Sequence, residues 1–448
     1  FDLLAVFYTF KSTEVIDAVR PYIGMISIMS LVLLVPLGLL WRGDIPRPSH
    51  RIQLTVILAG LALAVSLPNH VWLNAWPIAL VPAALAAQSS GVGIELPPTA
   101  NIRMSPRDRY QSWKASREEK PSDAETYVLI IGESVRSDRI NGCGGRAQIT
   151  APPAGSLVYC DVLSGASSTH ASVPLLVSRE LPGHMDRVSH DTTFLNAFEA
   201  AGFETFWLSV QERSIAWPDA RNQFYDLSDH LDRDTLLPLL DQALAKAAPR
   251  KLIVLHAYNS HAPYTERYQE ATAPLSVDKK LVESKLPTKA AIGMWWNAYD
   301  NSIDESMRLL DEVVSRLRAQ NGHAFFVFTS DHEENMLDDR RNLVQHALKF
   351  PTLWDTRVPA IVWANTAWRR SNPERWRALV LNQCMPLMHM DFVPTILGAA
   401  RIKYEEGRNL PIDLTLRLAN SRKRITQVRS GESVTSDILD QEAWLAGQ

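Results

Sequence analysis

The most constraining feature of the sequence is an apolar run that ends abruptly in acidic and imidazole side chains. Residues 324–328, Ala-Phe-Phe-Val-Phe, carry no charge and are short enough for a strand that is buried on both faces. Asp331, His332, Glu333 and Glu334 follow almost at once. Because an open parallel sheet binds ligands beyond the carboxyl ends of its strands, this junction predicts a functional site.

Four further apolar runs alternate with segments of helical spacing from Thr126 onward. This alternation predicts an α/β fold with helices flanking a mainly parallel sheet. Together with 324–328, the predicted strands are 127–131, 203–210, 252–255 and 358–363. The predicted helices are 193–201, 234–247, 290–318 and 391–399.

Apolar residues are also concentrated near the N-terminus. The chain has 448 residues, 46% hydrophobic and 21% charged, which allows two or three domains with some membrane content. Residues 22–41 carry no charge over the roughly 20 residues that a helix needs to cross a bilayer, and they predict a transmembrane span. Residues 52–68 are also uncharged but shorter, and they predict a second span or, alternatively, a buried core helix. The net charge of −3 argues against a nucleic-acid-binding protein.

The loop between these two segments indicates their orientation. Residues 42–51 carry three arginines and one aspartate, and short basic loops stay in the cytoplasm. The large C-terminal part is therefore predicted to lie outside the cytoplasm. Residues 68–88 mix two tryptophans with three prolines and predict a helix at the membrane surface.

The remaining composition divides the chain into three regions. Residues 1–88 are the predicted membrane region, and 89–123, rich in Gly, Pro, Ser and alternating charge, are a surface linker. Residues 124–448 are the predicted catalytic domain. Within it, the tail after about Tyr404 is polar and turns basic at 422–424, and its composition indicates no function.

Three cysteines lie in the predicted exported region. Cys143 and Cys160 are close enough in sequence to form a disulfide in an oxidising compartment, which leaves Cys384 unpaired. Three reduced thiols are the alternative.

Two more segments carry candidate functional groups next to predicted elements. Glu133 follows the strand 127–131 and a glycine that permits a tight turn, although a glutamate there can also be a helix cap or a surface charge. Ser168 and Thr169 precede an apolar helical stretch, where a hydroxyl faces free N–H groups and the positive end of the helix dipole. A simple N-cap is the alternative for either hydroxyl.

Several histidines complete the candidate set. His256 and His261 lie beyond the end of the strand 252–255, beside a proline-containing turn, where they are suited to hold a metal or an anion. His346 follows a charged loop and is weak evidence by itself.

These groups define a chemistry if they meet at one edge of the sheet. Glu133, Asp331 and His332 offer one nitrogen and several oxygens, a ligand set that suits zinc or manganese. A divalent ion next to a Ser or Thr hydroxyl makes that alcohol a nucleophile at neutral pH. The sequence therefore predicts phosphoryl or sulfuryl transfer.

The chain resembles the membrane-anchored phosphoethanolamine transferases of Gram-negative bacteria, including the lipid A-modifying enzymes, which belong to the alkaline phosphatase and sulfatase superfamily. The resemblance rests on motifs that follow one another in order behind the membrane spans. They are GESVR at 132–136, STHASVP at 168–174, LHAYNSHAPY at 255–264, NAYDNSI at 297–303, TSDHEEN at 329–335, VPAIVW at 358–363 and DFVPTIL at 391–397.

This resemblance implies an α/β/α sandwich and a threonine nucleophile. Thr169 would accept phosphoethanolamine from phosphatidylethanolamine and pass it to lipid A, lipopolysaccharide core or another envelope glycan. Glu133, Asp331 and His332 would bind the catalytic zinc together with the Thr169 oxygen. The catalytic domain would lie in the periplasm, anchored in the inner membrane.

The resemblance also implies a second group of site residues. His261, His346 and Glu334 would bind a second zinc or the substrate phosphate, and His256 is a further candidate. Near the N-terminus, Thr13 and Asp17 match a lipid-contacting Thr/Glu pair of the family, with Asp in place of Glu.

Two departures from the family pattern indicate a divergent branch. Gly165 and Leu175 stand near the positions of cysteines that flank the nucleophile in the lipid A enzymes, and the stretch from Glu334 to His346 is longer than usual. The acceptor is therefore left open.

Three alternative functions share parts of this pattern. A phosphodiesterase or phosphatase would release the same intermediate to water. A sulfatase needs a C/S-x-P-x-R motif, and neither Cys384 nor Ser172 is followed by that arginine. An inactive scaffold or sensor would keep the fold without needing a metal.

Overall fold

The structure is a computed structural model whose described residues all fall in one compact unit, 102–448. It describes residues 113–117, 124–188, 192–213, 218–227, 230–282, 287–405, 411–416, 418–419, 422–429 and 431–447. No helix within these ranges combines the length and hydrophobicity that crossing a bilayer requires. The predicted spans at 22–41 and 52–68, the predicted surface helix and most of the linker lie outside the described residues.

A mixed sheet of eight strands forms the centre of this unit, with the order β10-β2-β9-β6-β1-β5-β3-β4. Two short pairs, β7 with β8 and β11 with β12, lie apart from it. The strands are β1 (Glu125–Gly132), β2 (Leu157–Leu163), β3 (Glu204–Ser209), β4 (Asn222–Tyr225), β5 (Arg250–His256), β6 (His323–Ser330), β7 (Asn335–Met336), β8 (Val344–Gln345), β9 (Arg357–Ala364), β10 (Leu387–Met388), β11 (Ile425–Gln427) and β12 (Ser433–Thr435).

All five predicted strands are present, as β1, β3, β5, β6 and β9. β1 pairs in parallel with β5 and β6, and every residue of β1 and β6 is buried, which explains their unbroken apolar runs. The prediction of a mainly parallel sheet is confirmed, but β9 is an exception because it runs antiparallel to both β2 and β6. Three strands of the sheet, β2, β4 and β10, were not predicted.

Helices cover both faces of the sheet. They are α1 (Thr169–Val177), α2 (Met185–Val188), α3 (Leu195–Ala200), α4 (Asp232–Ala245), α5 (Lys279–Val282), α6 (Ile292–Arg318), α7 (Thr366–Ser371), α8 (Pro373–Leu381), α9 (Phe392–Ala399) and α10 (Ser436–Gly447). The four predicted helices correspond to α3, α4, α6 and α9, with ends shifted by at most a few residues.

The alternation of side chains along β1 separates two hydrophobic cores. Leu129 and Ile131 belong to the core that includes residues of α1, α3 and α9. Val128 and Ile130 belong to the opposite core, with residues of α4 and α6. This three-layer arrangement fixes the sheet between its helices and leaves the strand ends to carry the site.

The parallel strands end in register at one edge of the sheet. Gly132 of β1 lies opposite Ser330 of β6, and Ile131 lies opposite His256 of β5. Ser209 of β3 also lies opposite His256. The residues that follow these strands are therefore brought together at the same edge.

A buried ion pair anchors the first residue of β1. Arg117 donates two hydrogen bonds to the Glu125 carboxylate, at 2.6 and 2.8 Å, and both side chains are 1% exposed. Removing Arg117 leaves the buried Glu125 charge without its hydrogen-bonded partner, with Arg250 Nε at 4.0 Å and His323 Nδ1 at 3.9 Å as more distant basic groups. We expect Arg117→Ala to lower the free energy of unfolding by about 3–5 kcal/mol, measured by urea denaturation.

A matched control is Lys114→Ala, which removes the exposed partner of Glu405 in a pair whose side chains are 66% and 55% exposed. Exposed pairs contribute little, so this variant should unfold close to the wild-type urea midpoint. Equal losses in the two variants would contradict the role assigned to Arg117.

Candidate functional site

The turn after β1 presents Glu133 to the sheet edge. A Cβ at Gly132 would lie 2.6 Å from the Phe328 ring, so close packing requires a glycine there. The sequence predicted that this glycine permits a tight turn. The positive φ of the turn, 57°, occurs at Ser134 instead. Ser134 Oγ donates to Glu133 Oε1 at 2.8 Å, and the Glu133 side chain is fully buried.

The end of β6 places Asp331 and His332 beside this carboxylate. Asp331 Oδ1 accepts hydrogen bonds from the backbone N–H of His332 (2.7 Å) and of Ser134 (3.2 Å). His332 Nδ1 lies 3.0 Å from the Glu333 carbonyl, which turns Nε2 toward the site. Nε2 lies 3.1 Å from Glu133 Oε1 and 3.4 Å from Asp331 Oδ2.

The loop after β2 brings a hydroxyl to the same point. Thr169 is the first residue of α1, and its Oγ1 lies 3.0 Å from Glu133 Oε2 and 3.2 Å from His332 Nε2. Ser168 occupies the N-cap position, but its side chain makes no capping hydrogen bond. The structure thus brings together Glu133, Asp331 and His332, which were expected at strand ends, and Thr169, which was expected at the start of a helix.

The charges in this cluster are strongly coupled. Burial, together with the Glu133 charge, raises the pKa of Asp331 to about 7. Burial alone would lower the pKa of His332, but the charges of Asp331 and Glu133 outweigh it and raise that pKa to about 10. Burial would raise the pKa of Glu133, yet the neighbouring His332 holds it well below its usual range.

The cluster fits a bound cation on its own geometry. Ligand atoms of Glu133, His332 and His346 all lie within 4.8 Å of one another. Asp331 Oδ2 is buried and has no hydrogen-bond partner among the residues that the structure describes. Two buried carboxylates attract positive charge, and a metal ion would replace the proton on His332, because imidazole binds metals in its neutral form.

The hairpin of β7 and β8 explains the position of His346. Although the stretch from Glu334 to His346 is long, the pairing of Met336 with Val344 turns the chain back. His346 Nδ1 then lies 2.9 Å from Glu334 Oε1, and its ring centroid is 4.1 Å from that of His332. His261 is farther out, with its ring centroid 5.9 Å from that of His346.

His256 is not part of this group of side chains. His256 is buried at the end of β5, with Nδ1 3.4 Å from Ser209 Oγ and its ring edge-on to Trp207. Burial lowers the pKa of His256 to about 4, and the cluster of potential metal ligands does not include it. Thr13 and Asp17 lie outside the described residues.

Gln211 is a site residue that the sequence did not indicate. Its Nε2 donates to Glu133 Oε2 at 3.0 Å and to the Ala257 carbonyl at 2.7 Å, and the side chain is 3% exposed. This amide fixes the Glu133 carboxylate relative to the end of β5. A glutamine two residues beyond a strand gives no local signal of such a contact.

The cysteines adopt the first of the two alternatives that the sequence left open. Cys143 and Cys160 form a disulfide with a Cα–Cα distance of 5.5 Å, and Cys384 is free and exposed. Near Thr169, Gly165 and Leu175 lie close together, since a Cβ added at Gly165 would lie 3.4 Å from Leu175 Cβ.

A helix-flanked sheet with a hydroxyl, carboxylates and imidazoles at its carboxyl edge is the arrangement of the alkaline phosphatase and sulfatase fold. The chain belongs to the sulfatase family, whose model matches residues 125–402. This finding confirms the predicted superfamily.

Curated relatives of the chain include phosphoethanolamine transferases, a narrower class than the sulfatase family. Phosphoethanolamine transferase EptC of Escherichia coli is 23% identical over 301 residues, which are 62% of this chain and 49% of that protein. The chain thus spans about half the length of this curated relative. The resemblance to phosphoethanolamine transferases is confirmed at this level.

Solved structures show the same fold. The C-terminal periplasmic domain of E. coli EptC, in complex with Zn, has a TM-score of 0.63 at 19% identity and covers 75% of this chain and 99% of that one. The integral membrane protein lipooligosaccharide phosphoethanolamine transferase A (EptA) of Neisseria meningitidis has a TM-score of 0.60 at 18% identity, covering 90% and 79%.

The contact of Gln211 with Glu133 leads to a testable prediction. Gln211→Leu removes the hydrogen bond that orients the carboxylate, and we expect metal affinity to fall roughly 10–100-fold. The measurement is competition with a chromophoric zinc chelator. Gln223→Leu is the control. The Gln223 amide also donates two hydrogen bonds, to the carbonyls of Pro218 and Ala220, but it does not contact Glu133. Wild-type affinity in Gln211→Leu would exclude this role.

Proposed function

We propose that this protein transfers phosphoethanolamine from phosphatidylethanolamine to a cell-envelope glycan or lipid A, through a covalent intermediate on Thr169. The observation that carries the proposal is the position of Thr169 Oγ1, within 3.2 Å of both Glu133 and His332 at the start of α1. EptC and EptA are both named phosphoethanolamine transferases, which supports the assignment of the transferred group.

The chain's own residues suit a two-step displacement. In the first step a bond forms between Thr169 Oγ1 and the donor phosphorus, and the bond from phosphorus to the diacylglycerol oxygen breaks. Glu133 Oε2 accepts the Thr169 hydroxyl at 3.0 Å and so orients Oγ1, and the proton that Oγ1 loses passes to the diacylglycerol oxygen as it leaves. The positive end of the α1 dipole favours the phosphoryl charge that remains.

The second step restores the nucleophile. A hydroxyl of the acceptor attacks the same phosphorus and gives up its proton, the bond to Oγ1 breaks, and Thr169 regains its proton. If water replaces the acceptor, the product is free phosphoethanolamine, which is the outcome of the alternative function, a phosphodiesterase or phosphatase.

We assign one metal ion to Glu133, Thr169, Asp331 and His332, with zinc preferred over manganese. A divalent ion held there lowers the pKa of the alcohol and polarises a phosphoryl oxygen. The Zn complex of the E. coli EptC domain supports zinc. We assign His346, Glu334 and His261 to a second zinc or to the donor phosphate.

We also propose that the catalytic domain lies in the periplasm and is anchored in the inner membrane by spans at 22–41 and 52–68. Thr13 and Asp17 would contact the lipid donor. The support is that EptA is an integral membrane protein and that the similar EptC domain is periplasmic.

The nucleophile can be tested directly by mass spectrometry. Incubating the full chain with phosphatidylethanolamine in detergent micelles should add one phosphoethanolamine group to Thr169, and Thr169→Ala should abolish the adduct while metal stays bound. Ser168→Ala is the neighbouring control, since its hydroxyl makes no capping hydrogen bond, and should still form the adduct. Adduct formation by Thr169→Ala at the wild-type rate would remove Thr169 from the mechanism.

The metal ligands can be tested by elemental analysis. Glu133→Ala and Asp331→Ala each remove a carboxylate from the cluster, and we expect both to reduce the zinc content of purified protein. His170→Ala removes an imidazole next in sequence to Thr169 but outside the cluster, and should keep its metal. Unchanged zinc in both carboxylate variants would refute the assignment.

A further inference from the structure

The loop between β2 and α1, residues 164–168, is bonded to several distant segments. Ser164 donates its backbone N–H to the Thr356 carbonyl at 2.8 Å and its hydroxyl to the Asp331 carbonyl. At the other end, the Ser167 carbonyl accepts a hydrogen bond from the Ala347 N–H at 2.7 Å, directly after His346. The loop that precedes Thr169 is therefore hydrogen-bonded to Asp331 and to the residue after His346.

Gly165 is held on both sides in the middle of this loop. Its N–H donates to Nε2 of His389 at 2.9 Å, and its carbonyl accepts from the N–H of Gln427 at 2.7 Å. The packing is close, because a Cβ at Gly165 would lie 3.0 Å from His389 Nε2 and 3.3 Å from Leu175 Cδ1. Both backbone groups of this residue thus depend on the C-terminal third of the chain.

His389 is suited to accept the Gly165 N–H. Its side chain is fully buried, and burial lowers its pKa to about 3, so the ring is neutral and one nitrogen carries a lone pair. The turn around it is fixed by Asp391, whose carboxylate accepts from the Met388 N–H at 2.9 Å and pairs with Arg422 of the tail.

The tail supplies the other half of the contact. Gln427 ends β11, and an isolated parallel bridge joins it to Ala166. Arg424 binds the Asp161 carboxylate of β2 at 2.7 Å, and Ile425 packs against a small apolar cluster that contains Ala166 and Leu175. This segment lies beyond residue 402, where the match to the sulfatase family ends.

We propose that His389 and the backbone of β11 clamp Gly165 and thereby position Thr169 for attack on the donor phosphorus. The inference rests on the proposed function, because it assigns a task relative to Thr169 as nucleophile. Thr169 is four residues after Gly165, and its hydroxyl must keep its contacts with Glu133 Oε2 and His332 Nε2. Releasing Gly165 leaves its N–H or carbonyl unpaired and lets the loop sample other positions, and a displacement of about 1 Å can cost about 100-fold in rate.

The β11 half of the clamp is tested by removing one N–H. Gln427→Pro deletes the N–H that donates to the Gly165 carbonyl. Proline suits this position because the backbone is extended and the Gln427 N–H points away from β12, the strand that pairs with β11. We expect the rate of adduct formation on Thr169 to fall about 100-fold at saturating phosphatidylethanolamine, with little change in KM. Gln427→Ala keeps the N–H and loses the bond from Gly183 to the side chain, so it should recover most of the rate.

The His389 half is tested by exchanging the acceptor. His389→Leu removes it, whereas His389→Gln offers an amide oxygen near the position of Nε2. We expect the leucine variant to lose rate as Gln427→Pro does, and the glutamine variant to restore much of it. If Gln427→Pro does not fold, the two His389 variants still test the proposal. Melting temperatures establish which variants are folded.

Amide hydrogen exchange separates the clamp from the proposed function. In Gln427→Pro and His389→Leu the peptide covering 164–169 should exchange at least about tenfold faster than in the wild type, while peptides of β1 and β6 remain protected. Folded variants with wild-type exchange in this peptide and wild-type adduct rates would overturn the clamp. A wild-type protein that forms no adduct on Thr169 would overturn the proposed function instead, and the exchange data would still decide whether the loop is clamped.

Discussion

Repulsion between two buried carboxylates is the constraint around which the site is built. Glu133 and Asp331 follow neighbouring parallel strands, and both are fully buried, where charges interact far more strongly than in water. His332 offsets this repulsion, because its Nε2 lies close to an oxygen of each carboxylate. A divalent ion offers the same compensation with twice the charge. The supporting contacts from Ser134 and Gln211 hold the carboxylates in place against their repulsion.

The sequence predicted the central part of the sheet and not its edges. β1 and β6 are buried on both faces, so their composition alone distinguishes them from loops. β2 mixes buried with half-buried positions, and β10 has two residues, so neither produces an apolar run. The antiparallel direction of β9 was not predictable because side-chain alternation is the same in either direction, and direction depends on connections made elsewhere in the chain.

The candidate site, like the sheet, was predicted only in part from the sequence. Glu133, Asp331 and His332 could be identified because they follow strands of obvious character. Ser168 and Thr169 were candidates because they precede an apolar helix, and the family resemblance then singled out Thr169. Their roles remain predictions, although the structure brings their side chains together. Gln211 and His389 were missed because each acts through a contact with a residue distant in sequence. His256 also ends a strand, and its buried ring lies edge-on to Trp207, so its role stays a prediction.

The bond between Gly165 and Gln427 joins a segment made early in protein synthesis to one made late. A ribosome releases β1, β6 and their carboxylates before β11 exists, so the sheet can assemble while the loop before Thr169 still lacks one of its supports. The order of translation therefore separates formation of the fold from completion of the reactive centre. A message cut short after α9 would keep the eight-stranded sheet and the predicted metal ligands but would leave the Gly165 carbonyl without its bond to β11.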